Sequence, residues 1–234
     1  PEYANRVDPL DYDIMITQLD RVVTQKPSIS LNFDPNQPQM TGEQLTMMGY
    51  GSILPPTPDG QLIKPTILQE ATTRYVTNDD CSDDCDPNTG SCFGTGPDET
   101  FVDPHWFCTI ETTPVQTGTC FGDSGGPIIV EGATVADDLL VAVISGASGG
   151  CGNEFLPLWN QRVSFHAPWI LQEACQLSTA PPAEWNCDQG GVVPSTGNVP
   201  TPTQTNSPVA PPTAQPSPQP TPVPTRNPTL SPTP

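Results

Sequence analysis

Cys120-Phe121-Gly122-Asp123-Ser124-Gly125-Gly126-Pro127-Ile128-Ile129-Val130 joins a turn carrying three glycines to a run of β-branched side chains. Glycine tolerates the backbone conformations a tight turn demands, and Ile128 to Val130 suit a pleated, half-buried surface. Read locally, the stretch is a turn feeding a strand, with Ser124 at the turn's centre. Such a turn can aim adjacent backbone N–H groups at one point beside a hydroxyl.

Outward from this turn, short apolar runs recur between Gly, Pro, Asn and Asp: Ile14-Met15-Ile16, Leu45 to Gly51, Ile67 to Val76, and Leu139 to Ile144. They predict an all-β domain. In the run from Ile67, Ala71 to Thr77 is rich in β-branched and aromatic residues and predicts a strand. Pro168 to Cys175 predicts one short helix, with Pro168 as its first residue and good helix formers behind it.

Composition separates the two ends of the chain. Its 234 residues carry 7 Lys+Arg against 26 Asp+Glu, a formal charge of −19 and a pI near 4.1. That balance excludes a general nucleic-acid binder. Fourteen of the 32 Pro lie between Val193 and Pro234, where there is no Asp or Glu and a single Arg, Arg226. With almost no apolar surface to offset the entropy of ordering, this tail predicts a disordered, polyproline-rich stalk. No apolar run approaches the roughly 18 residues of a membrane span.

The eight Cys (81, 85, 92, 108, 120, 151, 175 and 187) are even in number, and none has the CxxC spacing of a structural zinc site. Disulfides and an extracellular location follow. The acidic cluster of Asp79, Asp80, Asp83, Asp84 and Asp86 lacks EF-hand spacing and reads as a solvated loop. No metal and no cofactor are expected.

The stretch from Cys120 resembles the nucleophile loop of trypsin/chymotrypsin-like serine endopeptidases, and three further segments match in that family's order. Leu10 to Leu19 is similar to the stretch around the catalytic Asp. Met48-Gly49-Tyr50-Gly51-Ser52 resembles the Gly-Trp-Gly turn with Tyr for Trp, followed by Leu68 to Cys81. Arg162 to Ile170 looks like the closing strand and helix. The resemblance implies that Ser124 is the nucleophile, Asp13 the triad carboxylate, and the Gly122 and Ser124 N–H groups the oxyanion hole. Asp123 is implied as acceptor of the N-terminal ammonium that zymogen cleavage creates. It also implies a chymotrypsin-like double β-barrel, here the end of the first barrel plus the complete second barrel.

The family's histidine precedes its Asp in an Ala-Ala-His-Cys type segment that these residues do not contain. His105 and His166 are read as ordinary surface or edge residues. The family's bridges imply Cys120–Cys151 and Cys81–Cys108. Cys85–Cys92 and Cys175–Cys187 are our suggestion for the remaining four cysteines, which allow three pairings. A third family bridge is absent, with non-Cys residues at Val130 and near Leu45. The pocket floor falls on Gly118, so no buried carboxylate is expected there and trypsin-type cleavage after Arg or Lys is not anticipated. The resemblance implies Ser145, Gly146 and the backbone at Ala147 as substrate-binding, with Ser145 and Ala147 along the groove; Ala147 and Leu158, at wall positions, predict a narrow pocket for small aliphatic side chains.

Residues 1–176 are thus expected to form a partial protease domain, 177–192 a Cys-containing post-helix segment and 193–234 the stalk. The expected partners are polypeptide substrates and protein inhibitors, and the protein is expected to be a secreted monomer. The alternative is a catalytically inactive, protease-like binding protein.

Overall fold

The computed structural model describes residues 12–21, 23, 28–83, 104–111, 118–147, 151, 157–182 and 185–189. Cys85 and Cys92, the acidic positions Asp84 and Asp86, and the stalk lie outside these residues. Among these residues seven strands succeed one another as β1 (Ser30–Leu31), β2 (Gln44–Gly49), β3 (Gln69–Val76), β4 (Trp106–Glu111), β5 (Pro127–Val130), β6 (Leu139–Ala147) and β7 (Leu158–Arg162). Helix α1 (Asn78–Asp83) follows β3, and α2 (Val163–Leu177) follows β7.

The order β1-β6-β5-β2-β3-β4-β7, with a further β6–β7 pairing, closes β2 to β7 into a six-stranded barrel. Every pairing within it is antiparallel; only the two-residue β1 runs parallel, along the start of β6. Closure pairs each of the six barrel strands on both sides, and the short β1 lies outside that ring. Leu45, Met47, Tyr75, Phe107, Ile128, Val141 and Leu158 fill the interior. Leu45 and Val130, the positions at or near the family's missing bridge, are buried apolar members of the same cluster.

The structure has bonds at Cys81–Cys108, Cys120–Cys151 and Cys175–Cys187. Three local expectations are corrected. Residues 13–19 form no strand: Met15 is 82% exposed, and no strand among the described residues pairs with the segment. Pro168 is interior to α2, which begins five residues earlier at Val163. Proline there forgoes one backbone bond. The helix persists because Val163, Ala167, Ile170 and Leu171 bury one face and outweigh the local preference.

His105 and His166 are buried at 1% and 5% exposure, not on the surface. They pack with Phe165 around Tyr12, whose ring stacks on His105 at 4.9 Å. Tyr12 has φ of 59°, a strained value for a bulky residue, and the aromatic cluster holds it there. Burial first, and the neighbouring His105 second, lower the His166 pKa from 6.5 to about 4. Because the folded-state value lies below the unfolded one, stability is fully present above pH 6.5 and is lost as pH falls toward 4. At about 1.4 kcal/mol per pH unit, discounted for solvent screening, the loss is about 2 kcal/mol. Urea unfolding at neutral and mildly acidic pH should show this drop in the wild type and a smaller one in His166→Gln.

Candidate active site

Two devices in the chain place Ser124. Gly122 and Gly125 take φ of 99° and 84°, conformations that bar ordinary side chains, so the turn can fold back on itself. Backbone bonds then fasten it: Gly125 N–H to Ile144 O, Ile144 N–H to Gly126 O, and Gly126 N–H to Asp123 O, at 2.8, 2.9 and 2.8 Å. Ser124 is exposed at the turn. Among the described residues, neither the Gly122 nor the Ser124 N–H donates a hydrogen bond. Two donors are therefore available beside the hydroxyl, as an oxyanion site requires.

Strand β6 brings in the second group. Its register against β7 slips between Ile144, opposite Asn160, and Gly146, opposite Trp159, leaving Ser145 as the extra residue of a bulge. A bulge re-aims the side chain it carries. Ser145 Oγ donates to Asp13 Oδ2 at 2.9 Å, while its carbonyl accepts from Ser124 Oγ at 3.4 Å. Ser145 thus links Asp13 to Ser124, two residues far apart in sequence. Asp13 follows directly on Tyr12, so the aromatic cluster anchors the carboxylate from behind.

Asp123 turns inward. Its carboxylate accepts from Gly51 N–H at 2.7 Å and from Cys120 N–H at 2.9 Å. A Cβ at Gly49 would lie 1.9 Å from Asp123 Oδ1, so the Gly-Tyr-Gly turn needs its glycines for close approach. The carboxylate also borders a cavity of about 250 Å³ lined by Met48, Gly51, Gln69 and Ala71.

A second cavity, of about 210 Å³, opens beside Ser124 and is lined by Thr119, Cys120, Phe121, Ser145, Gly146 and Cys151. The expected pocket residues fare differently around it. Gly118 borders the Asp123 cavity instead. The place a side chain at Gly118 would take is filled by Glu111, whose Oε1 stands 1.4 Å from it. A buried carboxylate is therefore present against this position, contrary to the expectation of none. Leu158 is fully buried in the barrel core and lines neither cavity. At Gly146 a Cβ would meet Trp159 Nε1 at 1.9 Å. An indole from β7 thus fills the space beside Gly146. The side chain of Ala147 is outside the described set.

Sequence reasoning missed Glu111 and Trp159. Trp159 becomes legible only through the β6–β7 register, which no local pattern encodes. Among the described residues no group of three or more His, Cys, Asp or Glu could hold a metal ion, and no helix is long and apolar enough to cross a membrane.

Comparison with known proteins finds relatives by sequence. The chain is 30% identical over 172 residues to neutrophil elastase of Mus musculus, covering 72% of this chain and 52% of that protein. It is 28% identical over 185 residues to the platelet-aggregating proteinase PA-BJ of Bothrops jararaca, covering 74% and 63%. Against the serine proteinase stubble of Drosophila melanogaster it is 27% identical over 163 residues, covering 69% and 19%. The chain therefore spans less than two thirds of the length of each of these relatives. The model of the trypsin family matches residues 2–170, and the chain belongs to that family of serine proteases.

Proposed function

We propose that the full-length protein is a secreted serine endopeptidase. Ser124 attacks the peptide carbonyl, a histidine from outside these 234 residues accepts its proton, Asp13 orients that histidine, and the Gly122 and Ser124 N–H groups hold the oxyanion. The observation that carries this reading is the Ser124–Ser145–Asp13 hydrogen-bonded chain beside two undonated N–H groups. Asp123 is the acceptor for the ammonium released by zymogen cleavage, and its hydrogen bonds to Gly51 and Cys120 hold it toward the cavity meanwhile. The three disulfides among the described residues support secretion.

Neither histidine is placed to act as the base: His105 is buried and stacked on Tyr12 at 4.9 Å, and His166 is buried beside the same ring with its Nε2 engaged with Gln161 Oε1 at 3.0 Å. Residues 1–234 alone are accordingly inactive in this reading. A fluorophosphonate should label the activated full-length protein stoichiometrically, and Ser124→Ala should remain unlabelled. Failure to label after activation cleavage would overturn the enzyme reading in favour of a protease-like binding protein.

A further inference from the structure

Lys64 is a cation placed beside the nucleophile turn by the backbone of the residue before it. Its neighbour Ile63 donates its N–H to the buried Ser52 Oγ at 3.0 Å and accepts from Ile53 N–H at 2.9 Å. Ser52 N–H in turn donates to Phe121 O at 3.0 Å, one residue before Gly122. Two short links therefore set the Lys64 backbone against the turn. Its Nζ ends 2.9 Å from the position a Cβ would take on Gly122, with Cε at 3.3 Å and Gly51 Cα at 3.5 Å.

Among the described residues, Lys64 has neither a hydrogen bond nor an ion pair, and it is exposed. An unpaired ammonium in a chain of net charge −19 attracts carboxylates at a point where the surrounding surface repels them. Its position relative to Ser124 identifies which carboxylates. The cavity beside Ser124 is bounded by Thr119, Ser145 and Gly146, and Lys64 is not part of its lining. A peptide whose acyl-side residue enters that cavity, with its carbonyl oxygen at the Gly122 and Ser124 N–H groups, leads its other half past Gly122 toward Lys64.

We propose that Lys64 is a specificity-determining residue on the leaving-group side, selecting peptides with Asp or Glu in the first few residues after the scissile bond. The inference rests on the proposed role of Ser124 and the two N–H donors. An exposed pair of this kind is worth roughly a twofold to fivefold preference, growing as salt is lowered.

The test is peptide binding to the full-length Ser124→Ala protein, read by fluorescence anisotropy, so that no turnover is needed. Two peptides differ only by Asp or Asn after the scissile bond. The Asp peptide should bind about threefold to fivefold more tightly at low ionic strength. The ratio should collapse toward one at high ionic strength and in Lys64→Gln, and survive in Lys64→Arg. Equal affinities in the parent, a preference that persists in Lys64→Gln, or no binding of either peptide would overturn the proposal. Fluorophosphonate labelling reports on the enzyme reading separately: labelling without discrimination removes the Lys64 inference alone, and discrimination without labelling removes the enzyme reading alone.

Discussion

Asp13→Asn in the activated full-length protein should lower kcat by about 10⁴-fold on a small amide substrate while leaving KM within a few fold. In the proposed mechanism the carboxylate fixes the tautomer and orientation of the incoming imidazole and stabilises the imidazolium that forms. An amide in its place presents the wrong hydrogen-bonding face. Ser145 gives the internal control. Its hydroxyl donates to Asp13 at 2.9 Å, so Ser145→Ala removes one charge-assisted bond while keeping the carboxylate. That change should cost about 10- to 100-fold, the equivalent of a hydrogen bond to a charged group. Both variants should melt within a few degrees of the parent, because Asp13 is only half-buried and is held mainly through Tyr12. Retention of more than a tenth of the parent kcat in Asp13→Asn would remove this residue from the mechanism.

What the sequence disclosed here follows from the range of the forces involved. The turn from Gly122 to Gly126 is legible because its requirements are local: positive φ at two glycines and a β-branched run behind them. Strands β2, β3 and β5 were visible as apolar runs for the same reason. Strand β7 was hidden from hydropathy, since Asn160 and Gln161 are fully buried yet polar. Their burial is tolerable because partners wait inside: Asn160 Nδ2 donates to Phe107 O at 3.0 Å and Thr109 Oγ at 3.2 Å, and Gln161 meets His166. Ile14-Met15-Ile16 misled in the opposite direction, because an apolar run becomes a strand only where another strand pairs with it. Asp13 is singled out by resemblance alone, and the reason it is held in place is not legible in the sequence. That reason is an aromatic cluster drawn from β4's approach and from α2, assembled only when the barrel closes. Glu111 against Gly118 and Lys64 against Gly122 are likewise contacts across sequence gaps that no pattern spans.

Replacing both Cys120 and Cys151 by Ala should lower stability by about 3–4 kcal/mol, from the chain entropy released when a loop of 31 residues is opened. For a domain of this size the melting temperature falls by about 10 °C. The larger consequence is functional. Cys120 N–H donates to Asp123 Oδ2 at 2.9 Å, and Asp123 N–H donates to Cys120 O at 3.1 Å, so the bridge anchors one side of the turn that carries Ser124. Without it, the two N–H donors lose their common aim, and electrostatic stabilisation of an oxyanion depends on donors already in position. Removing Cys175–Cys187 is the comparison. Its 12-residue separation predicts a loss of about 3 kcal/mol, but it joins α2 to the segment Cys187–Gln189, away from the turn. The two double variants of the full-length protein should therefore show similar urea-unfolding losses, while fluorophosphonate labelling falls at least tenfold only for the Cys120/Cys151 pair. Equal labelling rates at equal stability loss would show that the glycine turn keeps its shape through backbone bonds alone.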